Sequence, residues 1–175
     1  MINIIGKLTE VYSSEIVNVI SKSFLTSAQC DEIIANHDCN LEHVEQSINR
    51  KVNIKEIELF SIPNLVELLI DANNKIFRMD INGETECYFA RYDPGNHYDK
   101  LHIDSLSAEI TRKVSFSIFL NDDFEGGNFE MLGESLDIRK GKLCVFPSFL
   151  PHRVTAVTAG TRYVIFGFLL GPTLK

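Results

Sequence analysis

Tryptophan is absent from the sequence, cysteine occurs four times and proline five, and Lys plus Arg (17) fall short of Asp plus Glu (24). Each shortage excludes something. The formal net charge of −7 argues against general binding to nucleic acid or anionic lipid. The Arg112-Lys113 and Arg139-Lys140 pairs are too small to make a basic patch. No apolar run reaches the ~18 residues that a membrane-spanning helix needs. Met1-Ile2-Asn3-Ile4-Ile5-Gly6-Lys7 lacks the basic stretch and long apolar core of a signal peptide. The expectation is a cytoplasmic protein with neither membrane nor nucleic acid as partner. Cys30, Cys39, Cys87 and Cys144 follow no zinc-binding spacing, so free thiols in a reducing compartment are expected. With no repeat, low-complexity stretch or Pro/Gly linker, the 175 residues read as a single domain, 1–175.

What is present changes character near the middle of the chain. In the first half, Thr26-Ser27-Ala28-Gln29 fits a helix capping box, and Cys30, Ile33, Ile34 and His37 fall on one face of the helix that follows. A second helix is expected from about Ile62 to about Phe77, with Leu65, Val66, Leu68, Leu69 and Ala72 as its apolar stripe. The polar segment from Cys39 to Lys51 reads as helix or loop. From about residue 84 short β-rich runs take over: 86–92, 113–120, 128–132, 142–146 and 161–170, each closed by Gly, Pro, Asn or Asp. The fold class read from this pattern is α+β. A helical N-terminal part, about 1–80, buttresses a β-sandwich core, about 84–171.

His102-Ile103-Asp104 is the sharpest chemical feature. On a strand, residues i and i+2 face the same way, so an imidazole and a carboxylate would project together. A further histidine from a distant strand would complete a two-His, one-carboxylate triad, the geometry of non-haem Fe(II) sites with open positions. Of the five histidines, His152 stands after a strand and Pro151. A His-x-Asp triplet alone is more often a surface pair, so the surroundings matter. Arg162 opens the last apolar strand, with Val164, Phe166 and Phe168 on its face. A buried guanidinium needs a partner, and a carboxylate matches its fork. That partner is either an acidic side chain of the protein, which composition alone favours, or the carboxylate of a bound molecule.

Taken in order, these segments resemble a known family. Tyr92-Asp93-Pro94-Gly95-Asn96-His97-Tyr98 followed by His102-Ile103-Asp104 is similar to the Tyr-x-x-Gly-x-x-Tyr…His-x-Asp signature of the prolyl 4-hydroxylase-like branch of 2-oxoglutarate/Fe(II) oxygenases. So are Phe119-Leu120-Asn121-Asp122 with Gly126-Gly127, and Gly141 to Pro147 leading to Pro151-His152-Arg153-Val154. Gly160-Thr161-Arg162-Tyr163 completes the series, which covers roughly residues 23 to 171. The resemblance implies a double-stranded β-helix, or jelly roll, and the following roles. His102, Asp104 and His152 would hold Fe(II), and Arg162 would hold the far carboxylate of 2-oxoglutarate, all four being catalytic. Tyr92 would hydrogen-bond the cosubstrate, with Ser117, Phe119, Val154 and Phe168 lining its pocket. Tyr98 and His97 are the candidate substrate contacts, and Lys100 to Thr111 the candidate lid.

Two departures from the family pattern stand out. Asp99-Lys100-Leu101 is one residue longer than the usual spacer before the metal-binding His, and Ser117-Ile118-Phe119 lacks the tyrosine often found there. The implied activity is O2- and 2-oxoglutarate-dependent hydroxylation of a protein or peptide, at proline in the first instance. The resemblance implies Fe(II) and 2-oxoglutarate as cofactors and leaves room for ascorbate. Alternatives are hydroxylation of a small molecule such as a free amino acid, an inactive jelly-roll binding module, and a zinc or nickel cupin. Asp104 argues against a halogenase, which gives up that carboxylate. Oligomeric state is not legible.

Overall fold

The apolar runs of the second half form the centre of the fold because both of their faces are covered. In β8 (Ile110–Phe119) every residue from Lys113 onward is buried. All six residues of β12 (Lys142–Pro147) are buried, and most of β15 (Arg162–Pro172) is too. The protein is described here by a computed structural model covering residues 3–5, 10–14, 17–41, 43–105 and 110–173. β8 lies between β12 and β15, and β15 pairs on its far side with β6 (Thr85–Tyr92). β3 (Val17–Ser23), β2 (Glu10–Ser14) and β1 (Asn3–Ile5) extend one edge, and β5 (Arg50–Glu56) and β4 (His43–Ser47) the other, giving a nine-stranded antiparallel sheet.

A smaller sheet faces it, with four strands in the order β11 (Glu134–Ser135), β10 (Phe129–Met131), β13 (His152–Val154) and β7 (Tyr98–His102). β9 (Glu125–Gly126) and β14 (Val157–Ala159) pair as a short ribbon. Strand parity divides the core in two. Phe116, Ile118 and Ile165 point to the outer face, where Cys30, Leu65 and Leu69 of two helices cover them. Phe119, Phe146 and Val164 point inward, against Phe129, Met131 and Val154 of the small sheet. The architecture is the expected jelly roll, with a lighter helical buttress than the sequence suggested.

The buttress consists of α1 (Ser27–His37) and α2 (Leu65–Ala72). The capping box of α1 is formed: Thr26 Oγ1 accepts from the Gln29 amide at 3.3 Å, and Gln29 Oε1 accepts from the Thr26 amide at 2.9 Å. α2 is shorter than the expected 62–77. Ile62 precedes Pro63 and is held extended, and past Ala72 the chain widens into a π-turn, Asn73–Phe77. The Asn73 side chain closes that turn with two 3.0 Å hydrogen bonds to the Met79 backbone.

Much of the rest of the expected helical part, among the described residues, is strand. Residues 3–23 supply β1 to β3, and most of the segment from Cys39 to Lys51 belongs to the β4–β5 hairpin. An edge hairpin carries polar residues on both faces, which hides its period-two pattern; within β5 only Val52 and Asn53 are buried. Of the candidate lid, Lys100 to His102 belong to β7, and 106–109 lie outside the described residues. No helix among the described residues is long and apolar enough to cross a membrane.

Gly141 ties α1 to the sheet edge. Its carbonyl accepts the amides of Phe24 and Leu25. Its φ is +80°, and an added Cβ would stand 2.1 Å from the Leu25 carbonyl oxygen. Gly141→Ala should therefore destabilise the fold by about 1–3 kcal/mol, the usual cost of a non-glycine residue in the left-handed region. Urea unfolding checks this, and an unchanged midpoint would contradict it.

Candidate metal centre

Pairing of β7 with β13 sets His102 directly opposite His152 in the antiparallel register. The two imidazole rings lie 4.4 Å apart. Asp104 is not on the strand. β7 ends at His102, and Asp104 follows in a bend, where its amide donates to the Ser148 carbonyl at 2.9 Å. Its carboxylate is therefore aimed by a contact across the fold and not by the strand parity that the His-x-Asp spacing invites. Asp104 Oδ1 lies 3.7 Å from His102 Nε2, and Oδ2 lies 3.4 Å from His152 Nε2. One donor atom from each of the three residues falls within 4.8 Å of the others, a spacing that can hold one metal ion.

Both histidines are prepared to ligate through Nε2. His102 Nδ1 is 2.9 Å from the Lys100 carbonyl oxygen, and His152 Nδ1 is 2.9 Å from that of Leu150. A carbonyl only accepts, so each Nδ1 carries the proton and each Nε2 presents a lone pair toward Asp104. The Tyr98 ring stacks on His102 with centroids 3.6 Å apart. Phe129 and Phe146 hold His152 from the core side, at 5.5 and 5.0 Å. Burial, and next the neighbouring His152, push His102 down to about 4 from an ordinary 6.5. That keeps its imidazole neutral, as a ligand must be.

A cavity of about 900 Å³ opens over the triad and extends to Arg162. Arg162 is 2% exposed. In the register of β15 with β6 it stands opposite Tyr92. Its guanidinium carbon lies 5.0 Å from the Tyr92 ring centre and 5.7 Å from that of Phe119. Nε and Nη1 are buried with no hydrogen-bond partner, and no described carboxylate forms an ion pair with it. Burial accordingly lowers its pKa. The alternative of an acidic protein partner is not realised among the described residues. Gly127 makes room for the stem, since a Cβ there would stand 3.0 Å from Arg162 Cδ. The flanking residues point the other way: Arg91 and Tyr163 both bond Asp38, at 2.9 and 3.1 Å, behind the sheet.

Tyr92, Ser117, Val154, Phe168 and Tyr98 line the same cavity. Phe119 does not reach its surface and instead packs beneath Arg162. His97 is also not among the lining residues. Its backbone pairs with Lys51, and its Nδ1 sits 3.0 Å from Asp99 Oδ1, so those partners hold it outside the cavity. Two contributions went unread in the sequence. Arg50 reaches the cavity from the β4–β5 hairpin, 4.9 Å over the Tyr98 ring; no local signal marks it. Ser115 donates to Asp104 Oδ2 at 2.7 Å. Its parity with Ser117 was the available clue.

The depressed pKa of His102 has a consequence for the metal-free protein. Between about pH 6.5 and about pH 4 an unfolded His102 binds a proton that the folded one refuses. Stability should fall as pH drops through that window. His102→Asn removes this proton linkage, so wild type should lose stability relative to the variant over the same window. Urea midpoints measured in chelator would test it; parallel pH curves for the two proteins would refute it.

No family model matches the chain. Among known proteins it is 34% identical over 105 residues to a PKHD-type hydroxylase of Picosynechococcus sp., covering 55% of this chain and 48% of the relative. It is 32% identical over 124 residues to a PKHD-type hydroxylase of Crocosphaera subtropica, covering 62% and 54%. The chain thus spans about half the length of the relatives it matches. Its fold is similar to a prolyl-4-hydroxylase of Pseudomonas putida (TM-score 0.70, 22% identity, 89% of this chain and 93% of that one). It is also similar to a viral collagen prolyl hydroxylase of Paramecium Bursaria Chlorella virus-1 (TM-score 0.72, 16% identity, 87% and 96%). A third neighbour is a Trichoplax adhaerens prolyl hydroxylase in complex with a hypoxia inducible factor peptide fragment (TM-score 0.65, 22% identity, 86% and 82%). In sequence, then, the chain is similar to PKHD-type hydroxylases, and its fold is similar to that of solved prolyl hydroxylases.

Proposed function

We propose that the chain is a 2-oxoglutarate- and Fe(II)-dependent hydroxylase acting on a peptide or protein, with proline as the first candidate residue. The observation that carries the reading is Arg162. A fully buried guanidinium with two unpartnered nitrogens shares one cavity with a two-histidine, one-carboxylate triad. Burying an unpaired charge costs several kcal/mol, and a ligand carboxylate seated there removes that cost. Arg50, Lys100, Arg112 and Arg162 line the cavity, with Asp104 as its sole acidic residue among those described. This local positive balance, in a chain of net charge −7, suits a dianionic cosubstrate.

Each residue has a defined task in this reading. His102 and His152 ligate through Nε2 and Asp104 through a carboxylate oxygen, leaving the cavity side of the metal open. When bound, Fe(II) and 2-oxoglutarate supply the oxidising chemistry, in which C–H, O2 and 2-oxoglutarate give C–OH, succinate and CO2. Arg162 receives the far carboxylate, with Tyr92 beside it and Ser117, Val154 and Phe168 on the walls. Phe129 and Phe146 keep water from the core side of His152. The peptide substrate is inferred from the prolyl hydroxylases that share the fold, one of them seen with a peptide bound. Four unpaired thiols fit the reducing, cytoplasmic setting expected from the sequence.

Anaerobic addition of Fe(II) and 2-oxoglutarate should produce the weak visible charge-transfer band of the chelated keto acid. Asp104→Ala should abolish it. Arg162→Ala should raise the 2-oxoglutarate concentration needed by roughly 10–100-fold, the worth of a charged hydrogen bond of ~1.5–3 kcal/mol. Arg162→Lys should recover only part of that, because an ammonium lacks the bidentate fork. A folded, metal-binding protein without the band would sink the 2-oxoglutarate assignment and favour the binding-module or cupin reading.

A further inference from the structure

Asp104 sits in a bend outside both sheets, yet its carboxylate is held by a buried hydroxyl that a second buried hydroxyl, from a separate element, backs in turn. Ser115, 2% exposed on β8, places its Oγ 2.7 Å from Asp104 Oδ2. Ser148, fully buried in the turn after β12, places its Oγ 2.8 Å from Ser115 Oγ. The same Ser148 accepts the Asp104 amide through its carbonyl, and its own amide donates to Lys113 on β8. Ser148 thus anchors the bend by its backbone and reaches the carboxylate through Ser115.

Proton counting gives this chain a direction. An ionised carboxylate only accepts, so the single hydroxyl proton of Ser115 goes to Asp104. Ser115 Oγ then has only acceptor capacity left, so Ser148 must be the donor between the two serines. The order is Ser148 to Ser115 to Asp104. Neither hydroxyl has a backbone partner among the hydrogen bonds described, as a serine serving only its own strand or turn would. The bond engages Oδ2, which lies 3.4 Å from His152 Nε2, and leaves Oδ1, 3.7 Å from His102 Nε2, with no hydrogen bond among those described.

We propose that Ser115, oriented by Ser148, is a positioning residue of the metal centre, holding Oδ2 of Asp104 so that the metal is taken by Oδ1 alone. This rests on the reading of His102, Asp104 and His152 as metal ligands. A carboxylate binding through both oxygens would occupy one more position on the metal. That position is needed by the cosubstrate or O2. The hydroxyl chain therefore keeps the coordination sphere open as well as fixing the ligand's direction. Partners behind a ligand commonly change metal affinity by 10–100-fold.

The test uses the full chain and Co(II), whose visible d–d bands report coordination number, with no cosubstrate present. Ser115→Ala should weaken Co(II) binding by roughly 10–100-fold and alter the band intensities. Ser115→Thr keeps the hydroxyl and should restore both. Ser148→Ala, which leaves Ser115 in place but removes its orienting donor, should shift both in the same direction by less. Circular dichroism establishes that each variant is folded. Wild-type affinity and bands in Ser115→Ala would overturn the proposal, as would a folded Ser115→Thr that behaves like the alanine variant. Should Ser115→Ala fail to fold, unchanged bands in Ser148→Ala would overturn it. A wild-type protein that binds no Co(II) would overturn the metal-centre reading along with it, whereas tight wild-type binding with an indifferent Ser115→Ala overturns the serine relay alone.

Discussion

The guanidinium of Arg162 lies between Tyr92 and Phe119 at the start of β15, with no carboxylate among the described residues to meet it. Most buried charges in folded proteins are paired, because desolvation costs several kcal/mol per ion. A fold that keeps such a group must stabilise it elsewhere, and here the nine-stranded sheet does so. β15 is hydrogen-bonded along both edges, to β6 and β8. Its outer face packs under the helices, and its inner face forms the cavity wall. The pairing of Arg162 with Tyr92, and the bare backbone of Gly127 beside it, leave the guanidinium little freedom to leave the cavity for water.

The other end of the cavity shows a similar economy. Three side chains converge where one metal ion could be held, and nearly every remaining polar atom on them has a partner. The two Nδ1 atoms are tied to carbonyls two residues earlier in the chain, and Asp104 Oδ2 is tied to Ser115. The two Nε2 atoms are left over and face the Asp104 carboxylate, His102 toward Oδ1 and His152 toward Oδ2. Preorganisation of this kind reduces the ordering that metal binding would otherwise require. It also explains why the small sheet can be so slight. β10, β13 and β7 need only keep His102 and His152 in register and let Phe129 and Val154 close the core.

Similarity in fold extends over nearly nine-tenths of the chain at only 16–22% identity. Such a combination is expected where packing tolerates many apolar substitutions of similar volume. The sequence match spans about half the length of the PKHD-type relatives.

Much of this was legible in the amino-acid sequence, and the residues show where legibility ended. Features that depend on local chemistry were readable: the Thr26-to-Gln29 capping box, the strands β6, β8, β10, β12 and β15, and the donor types at 102, 104 and 152. The position of Arg162 on the face shared by Val164, Phe166 and Phe168 was readable too, because strand parity is a property of the backbone. The polar β4–β5 hairpin was not, since an edge strand carries little apolar signal and owes its form to its neighbour. Nor was the aim of Asp104, which is set by Ser148 from across the fold, nor the seat of Arg50 over Tyr98. The sequence by itself determined which groups are available to ligate and which strands carry them. Only the tertiary structure decided that His102 meets His152, that Arg162 meets no carboxylate among the described residues, and that Ser115 and Ser148 stand behind Asp104. Each of these is a contact between residues far apart in the chain, where no local pattern can specify distance or direction.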